Sequence, residues 1–179
     1  MSGPGVSIEL AGRIPGETEE RLRELLVELS DHFTQERPDS YFMGVVPQRL
    51  GIATADDPDH SRPFCVSFGG PGYAYEDVFA GDHDYPDLDL GGLIGFTPAY
   101  DLHVIGTCNR QVDHVTAAML TASVMDIVGG VVNIEVSERQ LPAVRALPGF
   151  LGHADGWGRV FGSQEMLRSW ALHPGFRLG

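Results

Sequence analysis

The chain has 179 residues, which at about 150 residues per domain predicts a single domain over residues 1–179. Hydrophobic residues make up 42% of the chain and charged residues 21%, and this composition excludes a wholly disordered protein. The net charge of −13 argues against binding to nucleic acids or to anionic membranes, which needs clustered basic residues, and it favours a basic partner.

The sequence predicts a cytoplasmic protein. The opening residues Met1–Gly5 have neither the basic nor the apolar region of a secretory signal. The longest apolar stretch, Val115–Val128, is too short and too polar to span a bilayer. Two isolated cysteines, Cys65 and Cys108, do not form a disulfide framework, so we expect reduced, buried thiols.

The first part of the chain predicts a strand, a long helix and two further strands. Val6–Leu10 alternates as a strand does. After Pro15, a run with acidic residues in its first turn predicts an amphipathic helix that ends before Pro38. Tyr41–Val46 and Phe64–Phe68 predict the next two strands. The apolar face of the helix would consist of Leu22, Leu25, Leu26, Leu29 and Phe33.

The second part predicts strands around a buried helix. Asp113 is a candidate N-cap for a helix that reaches Val128, and apolar residues on nearly every side of this helix indicate a central position. Gly129 and Gly130 end it. The other predicted elements are strands at Leu93–Phe96, Leu102–Thr107 and Val131–Val136, a short helix within Ser137–Leu147, a glycine-rich loop at Gly152–Gly162, and a last helix at Gln164–Leu172 capped by Ser163.

These elements predict an α+β fold. We expect a mostly antiparallel sheet with two long helices packed on one face and a short C-terminal helix. Both long helices lie between strands in the chain, so the two halves share a layout without sharing a sequence.

An acidic loop segment at about residues 56–92 interrupts this pattern. From Asp56 to Asp89 there are nine acidic residues against Arg62 alone, or −8 in 34 residues. Two interpretations stay open: a solvated loop that aids solubility, or a binding site for a basic partner with aromatic anchors. The candidate partner-binding residues are Asp56, Asp57, Asp59, Tyr73, Tyr75, Glu76, Asp77, Phe79, Asp82, Asp84, Tyr85, Asp87 and Asp89.

No motif predicts a metal, a cofactor or a catalytic site. The seven histidines include no His-Glu-x-x-His pair, and we interpret Asp82-His83-Asp84 as part of the acidic loop. Cys108 could be an activated thiolate with His103 or His114, which leaves a cysteine-dependent enzyme as an alternative. The simpler interpretation places Cys108 in the core, with Asn109 in a turn and Asp113 as a helix cap.

Several short motifs are similar to an uncharacterised domain family common in high-GC bacteria. They are Gly95-Phe96-Thr97-Pro98, Thr107-Cys108-Asn109, Asp113-His114, Gly129-Gly130, and a tail from Met166 to Phe176 of the form Met-Leu-Arg-x-Trp-x-x-x-Pro-x-Phe. The resemblance implies an acidic single-domain protein similar to the immunity proteins of bacterial toxin systems, and it supplies no catalytic residues. We therefore expect a protein that binds and neutralises a cognate toxin with a basic surface. A non-inhibitory subunit of a bacterial assembly is a further alternative.

Overall fold

A computed structural model describes residues 3–53, 60–74, 76–83 and 88–179, with Asp82 described by its backbone alone. The strands in these ranges are β1 Gly5–Leu10, β2 Ser30–Arg37, β3 Ser40–Val45, β4 Arg62–Gly69, β5 Tyr100–Gly106, β6 Val131–Glu135, β7 Phe150–Ala154 and β8 Arg159–Gly162. They form one sheet in the order β2-β3-β4-β5-β1-β6-β8-β7. Every pairing is antiparallel. The first strand of the chain, β1, lies inside the sheet between β5 and β6.

Six α-helices accompany this sheet within the described ranges. They are α1 Gly16–Leu29, α2 Glu76–Asp82, α3 Leu90–Ile94, α4 Gln111–Val128, α5 Leu141–Arg145 and α6 Gln164–Ala171. The α+β class with an antiparallel sheet is therefore confirmed, whereas the placement of both long helices on one face stays a prediction. No helix in the described parts of the chain has the length and apolarity to cross a membrane.

One face of the sheet, which we call the core face, is apolar. In β1 the buried residues Val6, Ile8 and Leu10 alternate with Ser7 and Glu9, because successive side chains of a strand point to opposite faces. Helix α4 contacts α1, α6, β1 and β5 and belongs to the same hydrophobic core. Most residues of α4 are buried, which agrees with the apolar residues that the sequence places on nearly every side of this helix.

The opposite face, which we call the second face, has a polar centre. Glu9 and Asp101 are fully buried there and lie directly opposite each other on β1 and β5. Gly69 makes room for one of them, since a Cβ at this position would lie 2.2 Å from Oδ1 of Asp101. Towards β7, a smaller apolar cluster joins α3 to the sheet through Leu90, Ile94, Val131, Ala154 and Phe161.

The predicted end of the first helix is wrong. Helix α1 ends at Leu29, and Phe33 lies in β2, where it pairs with Met43 and stacks on Tyr41. The Ser30 hydroxyl donates to the Leu26 carbonyl, 2.7 Å away, and satisfies one of the last helical carbonyls. The helical spacing of Phe33 is overridden because β3 offers a strand partner and an aromatic neighbour.

The structure also corrects two shorter assignments. Leu93–Phe96 is no strand: Leu93 and Ile94 are the last residues of α3, whose first turn is capped by Asp89 and which is followed by Gly95 with φ +88°. Short apolar runs fit a strand and a buried helix equally well. Gly152–Gly162 is no loop but holds most of the β7–β8 hairpin, with Gly156 and Gly158 at positive φ in its turn.

The start of α4 differs in detail from the prediction. The N-cap is Arg110, and Asp113 lies three residues further on. Oδ2 of Asp113 accepts a hydrogen bond from the backbone N–H of Arg110 at 2.6 Å, and Oδ1 accepts one from Nε of Arg62 at 2.5 Å. At the other end of the chain, Ser163 caps α6 as predicted.

Candidate functional site

The acidic segment at about residues 56–92, predicted as a loop, includes strand β4, the short helix α2 and the start of α3. Glu76 and Asp77 are exposed in the first turn of α2, and exposed Asp89 caps α3 by accepting the N–H of Gly92 at 2.9 Å. Acidic residues in these positions stabilise helix N-termini. The other predicted carboxylates and two tyrosines lie outside the described residues or side chains: Asp56, Asp57, Asp59, Tyr75, Asp82, Asp84, Tyr85 and Asp87.

The two described aromatic candidates pack against this chain itself. Tyr73 stacks on Phe68 with ring centroids 5.4 Å apart and meets Tyr100 edge-on at 5.9 Å. Phe79 packs on the imidazole of His83 with centroids 4.2 Å apart. These rings hold the acidic segment against the sheet, and their contact with a partner stays a prediction.

A buried carboxylate anchors the chain just before α2. Oδ2 of Asp39 accepts the N–H of Ala74 at 2.9 Å, and both carboxylate oxygens accept hydrogen bonds from Arg37. Desolvation raises the pKa of Asp39, but the hydrogen bonds from Ala74 and Arg37 outweigh it, so the pKa lies below its usual value. The carboxylate is therefore ionised at neutral pH and fixes this end of the segment.

A second buried carboxylate anchors the chain just after α2. Nε2 of His83 lies 2.5 Å from Oε2 of Glu9, and Nδ1 lies 2.8 Å from the Phe79 carbonyl oxygen. Both neighbours present acceptor oxygens, which favours the doubly protonated imidazole with both ring nitrogens donating. Burial lowers the pKa of His83, but the hydrogen bond and charge of Glu9 outweigh it and raise the pKa overall.

Glu9 belongs to a wider group that we call the second-face polar cluster: Ser7, Glu9, His83, Asp101, His103 and Asn133. Nδ2 of Asn133 donates to Oε1 of Glu9 at 2.7 Å. Ser7 Oγ and His103 Nδ1 are 3.0 Å apart, and His103 Nε2 lies 3.0 Å from Asp101 Oδ2. The cluster thus joins β1, β5 and β6 to the residue that follows α2.

This cluster is not among the predicted site residues, although the sequence contains a signal for it. Ser7 and Glu9 alternate with apolar residues in β1, and Asp101 and His103 do so in β5. The same alternation is typical of a strand with one face exposed to solvent, so it does not by itself indicate a buried polar cluster. Only the pairing of β1 with β5, over 90 residues apart in the chain, shows that the polar positions meet in a buried place.

The two histidines of the alternative cysteine site have other partners. Cys65 and Cys108 are free and partly exposed, which corrects the prediction of buried thiols. His114 is buried: its Nε2 donates to Oδ1 of Asn109 at 2.6 Å, and its Nδ1 accepts the N–H of Leu178 at 3.3 Å. Burial and the nearby charge of Arg177 lower the pKa of His114, which favours its neutral form.

A groove of about 700 Å³ lies beside His114 and is lined in part by Asn109, Arg139 and Arg177. His103 lies on the second face, three residues before the end of β5, with its Nδ1 at Ser7. Among the described residues, no group of three or more His, Cys, Asp or Glu side chains has an arrangement that could hold a metal ion.

Comparison with known proteins identifies the family. Residues 2–178 match the family model described as "Family of unknown function (DUF6368)", so the chain belongs to that family. The predicted membership of an uncharacterised domain family is confirmed, and the similarity to immunity proteins stays a prediction. No curated protein and no solved structure matches the chain.

Proposed function

We propose that this protein is an immunity-type binding protein that neutralises a toxin with a basic surface, and that α2 forms the centre of its contact surface. The observation that carries the proposal is the anchoring of α2. Exposed Glu76 and Asp77 lie on a short helix that buried carboxylates fix on both sides, through Asp39 before it and Glu9 after it.

Anchoring matters because a short helix has little stability of its own. A surface that is ordered before binding loses less conformational entropy when the partner arrives. The contacts of Ala74 and His83 with buried carboxylates provide this order in the free protein. Glu76 and Asp77 are therefore presented in a defined arrangement.

The chemistry of the α2 surface suits a basic protein. Val78 is 49% exposed directly after Glu76 and Asp77, so an apolar contact point lies beside two carboxylates. Protein interfaces commonly combine an apolar centre with a polar rim. The charge of −8 over residues 56–89 would speed association with a cationic surface and disfavour anionic ones.

The test compares two double variants that remove the same charge. Glu76→Gln with Asp77→Asn changes the α2 surface, and Gln keeps an oxygen that can accept the N–H of Gly72, as Glu76 does at 3.2 Å. Glu24→Gln with Glu28→Gln changes exposed carboxylates on α1 and is the matched control. Each protein is expressed with an affinity tag in the source cells, and co-purifying proteins are quantified at low and moderate salt.

We expect one basic protein to be recovered with the natural protein and the α1 control, and at least about tenfold less of it with the α2 variant. Its recovery should fall as salt rises. Equal recovery with all three proteins, or no basic protein at either salt, would contradict the proposal. A partner whose activity is unchanged in the complex would favour the alternative of a non-inhibitory subunit.

A further inference from the structure

We propose that Ser7, His103 and Asp101 form a nucleophilic site on the second face that hydrolyses apolar, uncharged esters. This activity goes beyond the proposed binding function and does not depend on it. Their side chains place a hydroxyl, an imidazole and a carboxylate next to one another in that order, which is the arrangement that activates a serine.

The sheet register sets the hydroxyl against the imidazole. Ser7 and His103 are directly opposite each other on β1 and β5, and Ser7 Oγ lies 3.0 Å from Nδ1 of His103. Nε2 of the same ring lies 3.0 Å from Oδ2 of Asp101. With its proton on Nε2, facing the carboxylate, His103 presents the lone pair of Nδ1 to the serine hydroxyl.

Asp101 is suited to orient His103. It is fully buried beside Gly69. A carboxylate shielded from solvent interacts more strongly with an imidazolium that forms next to it, because the local dielectric constant is low. The 3.0 Å approach to Nε2 is a close contact without the alignment of a hydrogen bond. Catalytic hydrogen bonds are commonly misaligned before a substrate binds and tighten in the complex.

An apolar shelf beside Ser7 indicates the substrate class. The shelf is a row of paired residues on four neighbouring strands: Phe42 on β3, Cys65 on β4, Ile105 on β5 and Gly5 on β1. Phe42 is 40% exposed and Ile105 41%, and nothing lies within 4 Å of a Cβ built on Gly5. Since the shelf lacks basic residues and the protein carries −13, an apolar acyl chain fits it better than an anion does.

Asn133 supplies a donor on the other side of Ser7. It lies opposite Ser7 on β6, and its Nδ2 donates one hydrogen to Glu9 at 2.7 Å. The second N–H of this amide can donate to the oxyanion that develops on the substrate carbonyl.

The reaction balances as ester plus water to carboxylic acid plus alcohol. Oγ of Ser7 attacks the carbonyl carbon while Nδ1 of His103 takes the hydroxyl proton. The tetrahedral intermediate releases the alcohol, which leaves with that proton, and the acyl group stays on Oγ. Water then attacks the acyl-serine and gives a proton to Nδ1. The proton returns to Oγ as the acid leaves.

Ser67 provides a matched control. It is opposite His103 on β4, so His103 lies between two serines on the same face, but Nδ1 contacts Ser7. The full chain and its Ser7→Ala and Ser67→Ala variants are treated with a fluorophosphonate, which forms a Ser–O–P bond with loss of fluoride. The modified peptide is located by mass spectrometry, and circular dichroism checks the fold of each variant.

We expect labelling of Ser7 in the natural protein and the Ser67→Ala variant, and none in the Ser7→Ala variant. Hydrolysis of p-nitrophenyl butyrate should follow the same pattern, and Asp101→Asn should lower kcat at least about 100-fold with little change in KM. An unlabelled Ser7, ester hydrolysis that survives Ser7→Ala, or equal losses with Ser67→Ala would overturn the proposal.

Discussion

The two faces of the sheet are built on opposite principles. The core face is continuous apolar packing, in which Ile8 is fully buried among helices and strands. The second face buries Glu9, one residue further along β1, among histidine and amide side chains. Burial of apolar side chains stabilises the fold whatever their mutual orientation, whereas a buried charge stabilises it only when its partners are correctly placed. The core face therefore holds the fold together, and the second face fixes particular side chains in particular places.

The largest effect is expected on the core face. Ile8→Ala leaves a cavity among residues that are close-packed, so it should lower the free energy of unfolding by about 2–5 kcal/mol. Denaturant titration followed by circular dichroism measures this loss. A loss no larger than that of Glu9→Gln, on the same strand, would break the comparison between the faces.

A smaller global effect and a larger local one are expected on the second face. Glu9→Gln removes the countercharge of His83, which should cost about 1–3 kcal/mol. Because His83 follows α2 directly, amide hydrogen exchange in α2 should speed up more than exchange in α4. Uniform exchange changes in both helices would show that Glu9 does not anchor α2.

The same pair predicts a dependence on pH. The pKa of His83 is raised above 6.5 in the folded protein, so its contribution is complete below that pH and is lost as pH rises through the folded pKa. The stability difference between the natural protein and Glu9→Gln should therefore be larger at pH 6 than at pH 9. Unfolding titrations of both proteins at these two pH values measure it, and a difference that grows with pH would contradict the assignment.

The smallest of these effects is expected at Asp39. Asp39→Asn weakens the hydrogen bond from Ala74 and should cost about 1 kcal/mol at neutral pH. Because the folded pKa of Asp39 lies below 3.8, this contribution is present above about pH 4 and is lost as pH falls through the folded pKa. Thermal unfolding should show a larger difference between the natural protein and Asp39→Asn at pH 7 than at pH 3, and equal differences would contradict the account.

Local signals in the sequence predicted much of the fold. The alternation of Val6–Leu10 predicted β1, and Ser163 predicted the start of α6, because strands and helix caps depend on neighbouring residues. The assignment of Phe33 to a helix and of Gly152–Gly162 to a loop failed because strand partners elsewhere in the chain decide both.

The candidate site was harder to predict than the fold. Charge alone indicates Glu76 and Asp77 as candidate contact residues, but it does not indicate the anchors of α2, since Asp39 and Glu9 are distant in the chain. The line from Ser7 to Asp101 depends on the register of β1 with β5, which sequence periodicity does not specify.

The most direct test of the account is the recovery of a basic partner with two variants of equal charge. Glu76→Gln/Asp77→Asn and Glu24→Gln/Glu28→Gln each remove two exposed carboxylates, the first pair from α2 and the second from α1. If α2 is the contact surface, only the first variant loses the partner, by at least about tenfold. Equal losses with both variants would mean that net charge alone attracts the partner, and would contradict the role assigned to α2.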